Sequence, residues 1–510
     1  MVKHFVRAGR GRRIAVLVAL GWLLAFAPGL RAQQLRYDQH REIRAPDYAT
    51  IRMGAFYSRW AFLQSVGYRY TRSEGTGTDY LFGTSRGVIL EDGSEYPLIS
   101  RLVMRNYLII TPKMDLDLSV EVSYRYYPMD TQEDEFLVRL PPEGILGNVS
   151  TEIRWTDFIR SVVYDDFVYR TDYIDTRGLS DRYGGTAYEY LRNELGVRTD
   201  WLMAKDKNLS LDLSRTDLLP QDDEFADQES VTYSELLAYE QQVLSGVVVG
   251  ARARARQVSY TATDRPDASI QDLSVFAQAG FGEAEEVAVG IRPTRATTVT
   301  LGLGAAVGGS VSFARTERRS TYGEVDLQRI YESESARDTV SLVAEARVQT
   351  RLRKDLDHSL TYERGLRGGF LSAFEEYDTL EYRVDYKGAF TSLALFSRWS
   401  NIRPSASALN EYSDWTSGLN WTYPLSRAVD LKLSSVYSVR ENDTLLTATG
   451  EPELDNDYET WTTRAGTGFR LTRSIDFDAY VEHVERTSDA ADLAYTRDTV
   501  AATLTYRHDF

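Results

Sequence analysis

Apolar and polar residues alternate along most of the chain after residue 51, most clearly from Arg101 to Tyr126. In the second half of this segment apolar residues take every second place: Leu116, Leu118, Val120, Val122, Tyr124 and Tyr126. In the first half one face is again apolar, while Arg101 and Arg105 lie on the other. A repeat of two is the period of a β-strand. Pro112 falls between the halves, where a turn tolerates a missing N–H. The segment therefore predicts a hairpin with one apolar and one charged face.

This hairpin pattern recurs along the chain. Short polar turns separate alternating segments near residues 204–208, 353–355, 424–428 and 471–474, with less regular reversals near Phe158, Ser245 and Gly388. Longer connections rich in Gly, Asp, Glu, Ser and Thr fall between them, at residues 72–98, 128–150, 217–230, 315–338 and 441–458. Tight turns at one end of the strands and long loops at the other are typical of outer-membrane barrels. The acidic loops are interpreted as solvated extracellular loops, because no spacing in them matches a calcium-binding loop.

Composition narrows the choice between a soluble sandwich and a membrane barrel. The chain has 510 residues, 43% of them hydrophobic, no Cys, and a mean hydropathy of −0.37. Beyond the N-terminal segment no apolar run reaches 18 residues, which excludes α-helical membrane spans. A closed barrel is then the spanning structure that remains, because hydrocarbon cannot hydrate an open strand edge.

The N-terminus predicts export. A basic stretch, an apolar stretch from Ile14 to Pro28 and a small residue at Ala32 have the anatomy of a secretory signal peptide over residues 1–32. Removing its six basic residues takes the formal net charge from −16 to −22. So acidic a protein is not expected to bind nucleic acid. Residues 33–50 are predicted to be a short periplasmic segment, too short for a plug domain, and residues 51–510 the barrel.

The last strand is predicted to carry an assembly signal. Val500, Ala502 and Leu504 share an apolar face that ends in Tyr506, His508 and Phe510. A terminal Phe that closes such a strand resembles the signal by which the outer-membrane assembly machinery takes up barrel proteins.

The length of the barrel region sets its size. Residues 51 to 510 number 460, and a spanning strand with its share of turn and loop takes roughly 26 residues. The prediction is a single antiparallel transmembrane barrel of about 18 strands, within an even range of about 16 to 20. Barrels of that size leave an aqueous channel.

Arginines on one strand face are the candidate pore-lining residues. Arg252, Arg254 and Arg256 alternate with small apolar residues, so they would line about 13 Å of wall at about 6.7 Å spacing. Facing lipid, each would cost roughly 2 to 4 kcal/mol near the midplane. Two interpretations stay open: a charged lane for ions or anionic sugars, or arginines paired with lumenal acids that brace the wall. Further candidate wall charges complete the set: Arg347, Arg351, Glu345, Arg101 and Arg105.

Enzyme chemistry has no support in the sequence. The chain contains no G-x-S-x-G, no H-E-x-x-H and no phosphate-binding glycine loop. Residues Gly302 to Gly309 are interpreted as a flexible or closely approached strand and not as a nucleotide site. No catalytic residue, cofactor or metal site is therefore predicted.

The turn from Leu471 to Asp476 and the closing LTYRHDF resemble the β-barrel porins found with bacterial exopolysaccharide systems. That resemblance implies a pore in the outer membrane, in contact with lipid and lipopolysaccharide, whose cargo is a secreted polysaccharide delivered by periplasmic export partners. The alternatives are a general diffusion porin and a surface adhesin. The tyrosines Tyr124, Tyr126, Tyr127, Tyr188 and Tyr190 suit either sugar stacking in the lumen or an aromatic girdle at the membrane interface, and the girdle is favoured.

Overall fold

The computed structural model describes the chain from residue 46 onward, with gaps. The described residues are 46–47, 49–75, 78–81, 84–87, 93–126, 142–173, 187–221, 226, 228–244, 247–261, 267–283, 295–311, 321–322, 325–326, 338–367, 374–405, 411–442, 457–488 and 494–509. The predicted signal peptide, Phe510 and most of the predicted acidic loop residues lie outside them. Within the described residues no helix is long and apolar enough to cross a membrane.

Twenty long antiparallel strands form one sheet. We number them in chain order. They are β1 Phe56–Gly75, β2 Leu98–Thr111, β3 Met114–Tyr126, β4 Pro142–Arg154, β5 Ile159–Tyr173, β6 Ala187–Ala204, β7 Lys207–Pro220, β8 Ser230–Leu244, β9 Val247–Tyr260, β10 Asp267–Glu283, β11 Arg295–Val311, β12 Asp338–Arg353, β13 Leu356–Arg367, β14 Glu375–Lys387, β15 Ser392–Pro404, β16 Tyr412–Pro424, β17 Val429–Asn442, β18 Tyr458–Arg470, β19 Ile475–Ser488 and β20 Tyr495–Asp509.

The sheet closes on itself. Each strand pairs with its neighbours in the chain, and β20 returns to pair with β1, from Tyr495 opposite Gly75 to Asp509 opposite Ala61. The predicted all-β closed barrel is therefore confirmed, but the estimate of about 18 strands is too low: the ring has twenty. The estimate assigned roughly 26 residues to each strand and its connection. The observed average is about 23, because many connections are short.

The two rims of the barrel differ in their connections. At one rim, which we call the short-turn rim, eight of the nine connections have two to four residues. They include the reversals predicted near Phe158, Ser245 and Gly388, which all join consecutive strands. Just before β1, Ile51–Met53 folds back on that strand through Gly54, whose φ of +61° lies in the left-handed region that glycine tolerates. At the other rim the connections are longer, as the sequence pattern indicates.

The predicted loop at residues 128–150 is wrong in its last nine residues, and those at 72–98 and 217–230 overlap the ends of β1 and β7. Residues 128–150 read as a loop because they contain Pro142, Gly144 and Gly147, yet Pro142–Arg154 is strand β4. A Cβ added at Gly147 would lie 1.9 Å from the ring of Phe167 on the adjacent strand. The Phe167 ring therefore leaves no space for a side chain at position 147, and the glycine there belongs to a strand and not to a loop.

Alternation produces a barrel that is apolar outside and polar inside. The pairing register fixes which residues share a face, because directly opposed residues lie on the same side of a sheet. Followed around the ring, the register places one apolar row outside on every strand, for example Leu273 and Val275 on β10, which are 62% and 60% exposed. Large exposed aromatic side chains lie near the short-turn rim: Trp155, Phe158, Trp201, Phe390 and Tyr506. Such a belt is typical of a membrane interface.

The strands are longer than a bilayer requires. They have 12 to 20 residues, whereas about 9 to 11 tilted residues cross the hydrocarbon layer. Outward charge pairs occur toward the long-loop ends, such as Arg215 with Asp217, 2.7 Å apart, and Arg72 with Glu74.

Candidate functional site: the inner wall of the barrel

The inward face of the ring is lined by charged and hydroxyl side chains. For twenty strands at the usual spacing and tilt, a circular barrel measures roughly 40 Å between opposite backbones. That width leaves room for the wall side chains and for water between them, whereas barrels of about eight strands are filled by their own side chains.

The structure places Arg252, Arg254 and Arg256 together on the inward face of β9. On β10, Ser274 lies directly opposite Arg252, and Asp272 lies directly opposite Arg254. The Arg254 guanidinium lies 4.0 Å from the Asp272 carboxylate. Arg256 makes no ion pair within the described part of the chain.

Arg252 reaches across two strands. Its guanidinium lies 3.6 Å from a carboxylate oxygen of Glu345 on β12 and stacks over the Phe276 ring, 4.1 Å from the ring centre. Strand β11 lies between Phe276 on β10 and Glu345 on β12, and it turns Gly302, Gly304 and other small residues inward. The glycine-rich segment is thus a closely approached strand, as the sequence indicates, and its small side chains leave the space that this long-range pair occupies.

The other candidates also face inward and are paired with acids. Arg347 lies 3.6 Å from Glu363, and Arg351 lies 2.8 Å from Asp357, both across the β12–β13 pair. Five of the six β9–β12 candidates, four arginines and Glu345, therefore belong to an ion pair. Each pair remains partly exposed, so each contributes little to stability, on the order of 1 kcal/mol or less.

Arg101 and Arg105 lie on a different part of the wall. They belong to β2, and Arg101 forms an ion pair of 2.6 Å with Glu121 on β3. Arg105 is opposed by Arg59 on β1 and by Ser119 on β3. The structure therefore does not bring these two residues to the β9–β12 cluster.

Acidic residues face inward along the arc that precedes the arginine cluster. On strands β3 to β8 they are Asp117, Glu121, Asp166, Glu194, Asp212 and Glu240, and the inward arginines Arg160, Arg192 and Arg198 lie among them. This arc is not visible in the sequence, because it follows from the order of strands around the ring. The inner wall therefore has an arc in which carboxylates outnumber arginines, next to the arc β9 to β12, in which arginines outnumber carboxylates.

A ladder of alternating tyrosine and arginine crosses β16 to β20 near the long-loop rim. Its members are Tyr412, Arg440, Tyr458, Arg486 and Tyr495. The guanidinium groups lie 4.0 to 4.9 Å from the ring centres they face. All five residues are buried, at 4% to 8% exposed. The signal in the sequence is a Tyr or an Arg on the inward face near the long-loop end of each of these strands. This signal becomes visible only once the strands are aligned.

The tyrosines and the terminal residues divide between the two faces. Tyr124 shares the outward face with Leu118 and Val122, which suits a girdle, whereas Tyr190 is buried on the inward face beside Arg192. Tyr126 lies opposite Leu98 on the outward face as well. Tyr127 and the side chain of Tyr188 lie outside the described residues. Tyr506 and His508 face outward on β20, with ring centres 6.4 Å apart.

Within the described ranges no group of three or more His, Cys, Asp or Glu residues could hold a metal ion.

Comparison with known proteins gives structural likeness alone. No family model matches the chain, and no curated protein matches it. Among solved structures, the FrpB iron transporter from Neisseria meningitidis (F3-3 variant) is 10% identical, with a TM-score of 0.47, over 88% of this chain and 81% of that one. The copper transporter OprC is 10% identical, with a TM-score of 0.47, over 90% and 81%. OpdK of Pseudomonas aeruginosa, solved with vanillate, is 9% identical, with a TM-score of 0.38, over 89% and 99%. Likeness at this level establishes neither a shared family nor a shared cargo.

Proposed function

We propose that this protein is an outer-membrane channel that passes hydrophilic solutes or a hydrophilic polymer through its lumen. One observation carries the proposal. Around a closed ring of twenty strands, the pairing register turns a mainly apolar row outward and a mainly polar row inward on each strand. In a soluble barrel of this width the exposed apolar rows would face water. In a membrane the outward rows contact lipid and the inward rows contact the water of the lumen.

The membrane would be the outer membrane of a Gram-negative cell, reached through a cleaved signal peptide and the barrel assembly machinery. Support comes from the predicted signal sequence over residues 1–32, the aromatic belt at the short-turn rim and the outward Tyr506 and His508 at the end of β20. On this proposal the short-turn rim faces the periplasm and the long-loop rim faces the exterior.

For the cargo we propose a hydrophilic molecule that tolerates both signs of charge on the wall. Acids on β3–β8 and arginines on β9–β12 would orient a dipolar or charged solute across the lumen. An exported polysaccharide is the narrower form of this proposal. It is supported by the resemblance of the turns and of the final strand to porins of exopolysaccharide systems.

The test is single-channel conductance of the refolded protein in planar bilayers, with and without an anionic oligosaccharide. We compare the wild type with the Arg252→Ala, Arg254→Ala, Arg256→Ala triple variant. The expected result is a stable conductance that shifts toward cation selectivity in the variant, because three inward positive charges are lost. The control removes two outward arginines, Arg72 and Arg215, and should leave selectivity unchanged.

Two results would contradict the proposal. A correctly folded barrel without conductance would favour a surface-binding protein that acts through its loops. A conductance whose selectivity is unaffected by the triple variant would mean that the arginine cluster does not line the path. Shortened open times with the oligosaccharide would support a polymer cargo, and their absence would favour a general diffusion porin.

A further inference from the structure

Strands β12 and β13 separate near the long-loop rim. Their pairing ends at Ala344 opposite Arg364. Above this point β12 continues to Asp338, paired with β11, and β13 continues to Arg367, paired with Glu375 of β14. The ring therefore has a seam at this level, and the strands on either side of it follow different paths.

The end of β13 and the residues that begin β14 pack against the inside of the ring. By register Leu366 faces outward, and Phe374, which precedes β14 and pairs with Ser405 in the same register, belongs to the same face. Yet the ring of Phe374, only 1% exposed, packs on Val258 and Ile270, two inward residues of β9 and β10. Leu366 packs against the same cluster.

Glycine on β11 makes room for this contact. Gly308 faces inward, opposite Ile270. A Cβ built at Gly308 would lie 3.1 Å from the Phe374 ring. A larger side chain there would displace the ring, so the inner wall is shaped to receive Phe374.

Polar contacts hold the same outward face to the inner wall. The Ser341 hydroxyl, inward on β12 and 4% exposed, donates a hydrogen bond of 2.6 Å to the Glu376 carboxylate, which is outward on β14. Arg364 donates to the same carboxylate and lies 3.6 Å from Asp378. The Glu376 side chain is only 18% exposed, and these donors offset the cost of removing its carboxylate from water.

An outward face can meet an inward face only if these two strand ends have passed inside the ring. From these contacts we infer that residues 364–367 and 374–378, which we call the lumenal flap, form a constriction that sets the size limit of the channel. This inference rests on the proposed function. A second sheet layer lies about 10 Å from the wall it covers, so the flap removes about a quarter of a lumen roughly 40 Å across.

The position of the flap can be tested by cross-linking, because the chain contains no Cys. The Cβ built at Gly308 lies 3.2 Å from Cγ of Phe374, so the two Cβ atoms are at most about 4.7 Å apart, near the range of a disulfide. We expect Gly308→Cys with Phe374→Cys to lose both free thiols on mild oxidation of the barrel in vesicles. Gly308→Cys with Leu380→Cys, outward on the same strand below the seam, is the control and should keep them. Free thiols in the first pair would overturn the inference.

The size limit is tested separately by swelling of liposomes in neutral sugars of increasing length. In a Phe374→Ala, Glu376→Gln variant we expect the swelling rate in a tetrasaccharide, relative to a monosaccharide, to rise at least threefold. Leu380→Ala is the matched control and should leave the ratio unchanged. An unchanged ratio in the double variant, or in Glu376→Gln alone if the double variant does not fold, would overturn the constriction. Wild-type protein that passes no monosaccharide would instead overturn the channel, whatever the cross-linking result.

Discussion

Neutralising Glu345 is the sharpest test of the wall electrostatics. The Glu345→Gln variant removes the acid that faces Arg252 at 3.6 Å and so adds one net positive charge to the wall. Arg252 should keep its position, because its stacking on Phe276 contributes on the order of 0.5 to 1 kcal/mol. Both members of the pair are about a third exposed, so its loss should cost less than about 1 kcal/mol of folding free energy.

The expected change in selectivity follows from Coulomb's law. A charge about 10 Å from a passing ion changes the energy of that ion by roughly 0.4 kcal/mol in water. Screening reduces this to roughly 0.3 kcal/mol at 10 mM salt and roughly 0.1 kcal/mol at 0.15 M. The added positive charge lowers the energy of an anion by the same amount by which it raises the energy of a cation. The chloride-to-potassium permeability ratio of Glu345→Gln should therefore rise about threefold at 10 mM and about 1.5-fold at 0.15 M.

The measurement is the reversal potential under a salt gradient, in planar bilayers. Glu441→Gln, an exposed position on the outward face of β17, is the control and should leave the ratio unchanged. A ratio that does not change at 10 mM would show that Glu345 lies away from the path of the ions. A change of equal size at 1 M salt, where the Debye length is about 3 Å, would show that the variant acts by distorting the wall and not through its charge.

Two further predictions test the assignment of faces and the fit of β11. Val275→Arg, on the outward face, should destabilise the folded barrel in vesicles by roughly 2 to 4 kcal/mol in a urea titration, whereas Ser274→Arg on the inward face should cost far less; equal costs would contradict the assignment. Gly304→Ala should lower the refolding yield, followed by heat-modifiable mobility on gels, because its Cβ would lie 2.1 Å from the Leu273 carbonyl oxygen, while Gly302→Ala, whose nearest contact is 3.4 Å away, should refold like the wild type. Equal yields would show that β10 and β11 adjust freely.

Much of the fold is readable from local pattern. The segment from Leu98 to Tyr126 forms the predicted hairpin, with Arg101 and Arg105 on the face opposite the apolar row. This works because a barrel strand is apolar on one face along its length, so the period of two is preserved. At some positions the adjacent strand limits the size of side chain that fits, as the Phe167 ring does at Gly147. At such positions composition predicts a loop where the structure has a strand.

The inner wall is predictable strand by strand but not as an assembly. The row of Arg252, Arg254 and Arg256 follows from alternation alone. That Arg252 pairs with Glu345, 93 positions later, depends on two intervening strands and on the small residues of one of them. The lumenal flap is further from prediction, because its residues keep the ordinary outward pattern while the strand ends that carry them pass inside the ring.

Closure through β1 and β20 has a consequence for how the chain could be rearranged. Twenty is an even number of crossings, so residue 56 and residue 509 both lie at the short-turn rim. A short linker could join these two ends, and new termini could be cut within one of the long connections, without moving any strand from its neighbours. The architecture is thus defined by the cyclic order of the strands. Which strand comes first in the chain affects synthesis and export and leaves the pairing of the strands unchanged.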